Sequence, residues 1–413
     1  MSRSPALRVT LLWCAFVVVH VATAVAGWLY PSQPMGDVVL VYEPWSASAL
    51  AGGAVVGVTE TWVYPHLALV PMVLAKAMSA PLVAALGASG AYLVAWAVLV
   101  TALDAIAFAV LVGRTPSPPR RTAAWFWIAA LLLLGPIALY RIDAITVPLA
   151  VIGGLWLAKR PATAAVLLTI GAWIKIWPGA LVAAAVIASR HRMRILLTAA
   201  AVTAAVVMVL VLLGADTELW GFLTAQTGRG LQIEAVAATP FLWLAVTGLA
   251  RIEYSFDILT FQIVAPGADA VAAVLTPLMV VLVVVISAIG AMKAMRGASM
   301  PRLLPPLALS LVVALIVLNK VGSPQFQTWL IAPVVVWIVL DRSRAGAPAA
   351  LVLALSVLTC LVYPLTYDAL LRADLVPVGI LTVRNLLLVA LLVVGIRALV
   401  RVPAHRTSTT DRE

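Results

Sequence analysis

The sequence predicts an all-α polytopic membrane protein, a bundle of about 12 transmembrane helices with outer juxtamembrane helices. Three observations predict it. First, 64% of the 413 residues are hydrophobic and 10% are charged, against roughly 45–50% and about 25% in soluble domains. Second, the apolar residues fall in runs, and about 20 such residues suffice for a helix to cross a bilayer core. Third, Lys and Arg gather in every second gap between runs. This composition excludes a soluble enzyme, a disordered chain and a nucleic-acid module. The net charge of +11 is what Lys and Arg that set membrane orientation would leave, so membrane lipids are expected as partners and nucleic acid is not.

The clear runs are 8–30, 88–112, 122–140, 143–158, 161–176, 177–189, 194–214, 270–292, 302–318, 325–341, 346–366 and 377–399. Arg3 and Arg8 precede the first, and Ala22–Ala24 is faintly like a cleavage site. The run is longer than a signal segment of about 7–15 residues, so it is read as a retained span. Segments 64–80 and 236–251 are also apolar. Charge decides how they count. With the N-terminus cytoplasmic and both segments as outer re-entrant or interfacial helices, 19 of the 27 basic residues lie inside. Counting 64–80 alone as a span would move Arg114, Arg120 and Arg121 outside, against the positive-inside rule.

Residues 1–402 then form a single transmembrane domain, with large outer loops at about 31–87 and 215–269. Residues 403–413 read as a disordered cytoplasmic tail. No internal repeat is visible. Cys14 and Cys360 both lie in apolar runs and offer neither metal-ligand spacing nor a disulfide framework, and no cofactor or metal is expected.

The outer side carries the residues capable of chemistry. Asp37, in Gly36–Tyr42 (GDVVLVY), follows the first span. A carboxylate partly desolvated at the membrane surface suits proton abstraction; the plainer reading is a solvated loop Asp beside a turn glycine. Four further segments put polar groups at outer span ends: Tyr140–Asp143 (YRID), Trp173–Pro178 (WIKIWP), Arg229–Glu234 (RGLQIE) and Asn319–Phe326 (NKVGSPQF). Each alone fits a snorkelling cation and a helix cap. Together they place Arg141, Lys175, Arg229 and Lys320 on the side that Lys and Arg avoid elsewhere, and anion binding is the simplest reason. Arg384, about half a dozen residues into the last span, must snorkel, pair or face a polar cavity. Asp104, deep in the second span, has no partner nearby in sequence, so it is paired inside the bundle or protonated. His66 reads as a proton carrier or a structural histidine. No metal-ligand cluster, Gly-rich phosphate loop or nucleophile elbow appears.

Nucleotide sugars and ATP are cytoplasmic, so an outer site needs an activated substrate delivered through the membrane. A polyprenyl-phosphate sugar fits, with a phosphate for the cations and a lipid tail for a groove between helices.

GDVVLVY, then VYPHLAL, YRIDA, WIKIWP, GLQIE and NKVGSPQF, in this order from about Gly36 to Pro333, resemble the polytopic glycosyltransferase family 87. This is a GT-C group of bacterial polyprenyl-phosphate-sugar-dependent transferases that includes α-1,2-mannosyltransferases. The resemblance implies a GT-C-like bundle and an inverting transfer, with mannose the first choice of sugar and a glycolipid or glycan as acceptor. The family's catalytic aspartate maps to Asp37, and its YPP element reads Tyr64-Pro65-His66 here. Asp37 would take the acceptor proton, and Lys175, Lys320, Arg141, Arg384 or Arg229 would hold the donor phosphate. Tyr64, His66, Gln232, Glu234 and Gln325 would line the substrate. The implied setting is the outer face of the cytoplasmic membrane, with both termini cytoplasmic. An arabinofuranosyl transferase is the alternative within the enzyme class. A twelve-span secondary transporter is the alternative from another class; it would have related halves and a midplane site.

Overall fold

The computed structural model describes residues 5–224, 229–255 and 260–403. The polar tail expected over 403–413 lies, beyond Pro403, outside the described residues. The chain opens with α1 (Pro5–Leu29), a π turn at Val38–Tyr42 that runs into α2 (Glu43–Leu50), then α3 (Leu69–Ser79), α4 (Val83–Val112) and α5 (Pro118–Leu134). Next come α6 (Asp143–Trp156), α7 (Pro161–Ile174), α8 (Pro178–Ala188), α9 (Arg192–Leu212), α10 (Gly221–Thr224) and α11 (Thr239–Val246). After a small hairpin follow α12 (Ala268–Met295), α13 (Met300–Val317), α14 (Ile331–Leu340), α15 (Gly346–Cys360), α16 (Tyr367–Leu371) and α17 (Leu375–Val400). α5, α7 and α8 each begin on a proline, which has the helical φ built in and lacks only an N–H that the first turn would leave unbonded.

The protein is an all-α polytopic membrane protein. Among the described residues, eight helical stretches are long and apolar enough to cross a membrane. All twelve expected runs fall on helices, but length alone supports eight crossings. The runs at 143–158, 161–176 and 177–189 are helices of 14, 14 and 11 residues, about 17–21 Å long at 1.5 Å per residue. The run at 325–341 is a 3-10 turn, Pro324–Leu330, followed by the ten residues of α14. These short helices sit inside the bundle. α6, α13 and α14 are buried nearly all round, whereas α9 and α12 are the most exposed of the long helices. α6 and α14 pack so closely that a Cβ at Gly154 would overlap Val336.

The segment expected as an outer helix at 64–80 is helical from His66. α3 folds back along the start of α4, where the Tyr92 hydroxyl donates to the Met72 carbonyl at 3.2 Å. Lys76 ties α3 to α2 through Glu43 at 2.7 Å. The second segment, 236–251, ends differently from expectation. Its helix stops at Val246, and β1 (Arg251–Ser255) pairs antiparallel with β2 (Thr260–Val264), Arg251 opposite Val264 and Ser255 opposite Thr260. Ile252, Tyr254, Phe261, Ile263 and Val264 are β-formers, and strands this short leave no long apolar run to find.

Following the helices in alternation sorts the turns to two ends. One end holds the turns with Arg114 and Arg120, Lys159 and Arg160, Arg190 and Arg192, Lys293 and Arg296, and Arg342 and Arg344. There Arg120 donates to the Val110 and Leu111 carbonyls at 2.8 Å, closing the C-terminus of α4, and Lys293 donates to the Val402 carbonyl at 3.0 Å. Inside the bundle Asp104 finds a partner from α1. His20 Nε2 lies 3.2 Å from Asp104 Oδ2, and both side chains are buried. His20 Nδ1 lies 2.9 Å from the Phe16 carbonyl, so it carries a proton.

Candidate active site

The other end of the bundle gathers the ends of α1, α7, α13 and α15 with the starts of α6, α8 and α17. Asp37 stands at the start of the π turn Val38–Tyr42, a helical irregularity common at functional sites. Its side chain is 38% exposed, and Oδ2 lies 3.4 Å from Arg141 Nε, so one carboxylate face is held and the rest is open. Arg141 is buried. It donates to the Pro34 carbonyl at 2.7 Å, to its neighbour Tyr140 at 2.9 Å, and to the Tyr363 hydroxyl at 3.0 Å. Burial works against its charge, but Asp37 and the hydroxyls of Tyr363 and Tyr42 more than offset that, and its pKa lies above the ordinary arginine value. The Ile142 amide donates to the Tyr42 hydroxyl at 3.2 Å, which zips the Asp37 turn to the YRID turn.

Asp143, two residues after Arg141, is fully buried. Its Oδ1 accepts from the Trp329 indole at 2.5 Å, and its Oδ2 lies 3.7 Å from Lys175 Nζ. Lys175 rests 4.3 Å from the centroid of the Tyr64 ring, so a carboxylate and an aromatic face grip one ammonium. Trp329 stacks on Trp177 at 5.9 Å. Burial, then the charges of Asp37 and Asp143, raise the Tyr64 phenol well above its ordinary pKa.

Arg229 and Lys320 form a second group. Burial lowers the pKa of Arg229, with Tyr64 opposing, and its Nε is buried with no hydrogen-bond partner. Burial also lowers the pKa of Lys320, and the neighbouring Arg229 charge adds to that. The Arg229 charge therefore reaches Lys320, whose ammonium burial already disfavours. The GLQIE and NKVGS segments that carry them touch backbone to backbone. The Gln232 amide donates to the Lys320 carbonyl at 3.0 Å, and a Cβ at Gly322 would run into the chain at Glu234 and Ala235. Only glycine allows that approach.

The remaining expected residues have other surroundings. Arg384 is buried and bound to Glu234, at 2.5 Å to the carboxylate and 2.7 Å to the carbonyl, with Asn385 Oδ1 at 3.0 Å. Asn385 Nδ2 donates to Thr239 Oγ1 at 2.8 Å, so the pair anchors the segment from Glu234 to Thr239 to α17. Gln232 bridges to Gln262 in β2. The Gln325 side chain accepts from the Ser323 hydroxyl. His66 is buried among aromatics, with Trp173 at 6.0 Å and Phe222 at 5.8 Å, away from the Tyr64 face that meets Lys175. Asp143, Trp329, Tyr42 and Tyr363 belong to the cluster and were not singled out in the sequence. Asp143 had a usable signal, its place in the turn that also carries Arg141; Tyr363, in a late and otherwise featureless span, had none. Among the described residues, no group of three or more His, Cys, Asp or Glu comes together that could hold a metal.

Comparisons of the chain with protein-family models, with curated proteins and with solved structures each gave no match.

Proposed function

We propose that the chain is an inverting membrane glycosyltransferase. In this reading it moves a sugar, mannose as first choice, from a polyprenyl-phosphate donor to a lipid-linked or glycan acceptor on the outer face of the cytoplasmic membrane. One observation carries the reading: a part-exposed carboxylate, Asp37, shares one end of the bundle with two cations, the part-buried Arg229 and the buried Lys320, and the charge of the first reaches the second. A base and an anion site at the membrane surface are what transfer from a lipid phosphate requires. The resemblance of GDVVLVY, GLQIE and NKVGSPQF to glycosyltransferase family 87 points the same way. In this reading the chain crosses the membrane twelve times, with α3 and α11 as outer juxtamembrane helices and both α1's start and α17's end on the cytoplasmic side.

Asp37 takes the proton of an acceptor hydroxyl as that oxygen bonds to the anomeric carbon. The bond from the anomeric carbon to the phosphate oxygen breaks, its electron pair stays on the phosphate, and the configuration inverts. The charge that grows on the leaving phosphate falls to Arg229 and Lys320, whose mutual repulsion an anion removes. Lys175, between Asp143 and Tyr64, adds positive potential beside them. Arg141 orients Asp37, and Arg384 holds the loop that carries Glu234.

The test is incubation of purified protein with labelled polyprenyl-phosphate mannose, and separately with the arabinofuranose donor, plus membrane-lipid acceptors. Mannose transfer is expected, reduced ~10²–10⁴-fold in Asp37→Asn. Transfer of arabinose alone would make the protein a pentosyl transferase; undiminished transfer by Asp37→Asn would remove the proposed base. The buried His20–Asp104 pair favours one other reading, a proton-coupled transporter, since ionisable groups inside a bundle mark proton paths. Substrate-dependent proton uptake in proteoliposomes, lost in Asp104→Asn, would establish it.

A further inference from the structure

The turn that delivers Asp37 is strained, and what holds it comes from the far end of the chain. Ser32 and Gln33 are consecutive non-glycine residues at φ 57° and 48°, in the left-handed region that costs L-residues energy and persists only when the surroundings impose it. The Tyr363 hydroxyl lies 3.2 Å from both the Ser32 and Gln33 carbonyls, donating its one proton between them. Arg141 donates to that same hydroxyl at 3.0 Å and to the Pro34 carbonyl at 2.7 Å. Three successive carbonyls of the turn are therefore fixed by one buried arginine and one buried tyrosine. The Ser32 hydroxyl reaches Asp368 at 3.2 Å, beyond Tyr363 in sequence. On the other side of the turn the Gly36 amide donates to the Gln33 carbonyl at 2.8 Å, and Val38 and Val39 donate to Met35. Asp37 lies inside this short hydrogen-bonded stretch. The Gln33 side chain is exposed, so the unusual backbone there owes nothing to packing of that side chain.

We infer that Tyr363 and Arg141 act as a clamp that keeps the Ser32–Gln33–Pro34 turn in its left-handed conformation and thereby sets the position of the Asp37 carboxylate. Tyr363 is a positioning residue for Asp37, an assignment that rests on the proposed role of Asp37 as base. Arg141 has two duties, the ion pair with the carboxylate and the hold on the turn; Tyr363 shares the second and also accepts from Arg141. Tyr363→Phe leaves both charges of the Asp37–Arg141 pair in place but removes the hydroxyl to which Arg141 donates, so a second variant at the exposed Gln33, which touches neither member of the pair, separates the turn from the pair.

Tyr363→Phe keeps the ring and its T-shaped contact with Tyr367 at 4.9 Å and removes only the hydroxyl. It is expected to lower kcat on the order of ten- to a hundredfold with donor KM unchanged, the cost of displacing a catalytic group by about 1 Å. Gln33→Val, on an exposed side chain, should lower kcat in the same way, because a β-branched residue resists positive φ most. Gln33→Gly accepts that φ without penalty and should restore part of the activity lost in Tyr363→Phe. Amide hydrogen exchange gives a readout independent of transfer: Gly36, Val38 and Val39 are expected to exchange about tenfold faster in Tyr363→Phe. Unchanged exchange and kcat in both Tyr363→Phe and Gln33→Val would overturn the clamp. Loss of kcat in Tyr363→Phe that Gln33→Gly fails to rescue, with exchange unchanged, would overturn it as well. Undiminished transfer by Asp37→Asn would instead remove the base assignment, and the exchange measurement would still decide the clamp.

Discussion

At the scale of single residues, four of the cations at the site end fall into two kinds. Arg141 and Arg384 are each bound to a carboxylate and to carbonyls, at Asp37 and Glu234. Burial lowers the readiness of both Arg229 and Lys320 to carry charge, and the Arg229 charge adds to the effect at Lys320. The pKa of Lys320 is depressed, first by burial and then by Arg229, and this fixes the sign of a pH dependence. Lys320 is charged below that lowered value and neutral above it, so donor affinity is full at lower pH and falls as pH rises through it. Arg229→Gln removes one cause of the depression. The alkaline limb of donor affinity should then move to higher pH, even though binding weakens by about 10–150-fold at neutral pH from the loss of a charge-assisted contact. Donor KM measured across pH in both proteins checks the direction. A limb that stays put, or moves down, would separate Lys320 from Arg229.

At the scale of elements, the GLQIE segment is held by two contacts that substitution can break separately. Glu234→Ala leaves the Arg384 guanidinium buried without its carboxylate, an expected cost of about 3–5 kcal/mol. The double variant Glu234→Leu/Arg384→Met should recover most of that loss, because an apolar pair of similar volume avoids the desolvation of both charges. Thermal unfolding in detergent measures both; a double variant as unstable as the single would mean that the loop needs the charges themselves. Gly322→Ala pushes a methyl into the backbone at Glu234 and Ala235, so the GLQIE and NKVGS segments must part. We expect it to raise donor KM more than Gln325→Ala does, because it separates Arg229 from Lys320.

At the scale of the whole molecule, the bundle has a basic end and a site end, and orientation in the membrane follows from which end faces the cytoplasm. Ser117 and Ala51, both exposed, mark opposite ends. In a background of Cys14→Ala and Cys360→Ala, Ser117→Cys should react with a membrane-impermeant maleimide only after the membrane is opened, and Ala51→Cys should react from outside. Labelling of Ser117→Cys from outside would invert the topology and place Asp37 on the side where nucleotide sugars are available.

The sequence by itself determined the class of the protein, the positions of most of its helices and the end of the bundle at which the polar segments gather, but not the hairpin that follows Val246. Those properties are local: an apolar run, a proline at a helix start, a charge in a turn. It also brought Asp37, Arg141, Lys175, Arg229 and Lys320 forward, because cations on the side that Lys and Arg avoid stand out against a simple charge rule. Only the tertiary structure decided which cation meets which carboxylate. Arg384 meets Glu234 across 150 residues, Arg141 meets Tyr363 across 222, and Asp143 meets Trp329 across 186. His20 and Asp104 were likewise unconnected until α1 packed against α4. The physical reason is range. Hydropathy and chain orientation are set by neighbours along the chain, whereas ion pairs and hydrogen bonds act over a few ångströms, so their partners are fixed only when helices far apart in sequence pack side by side.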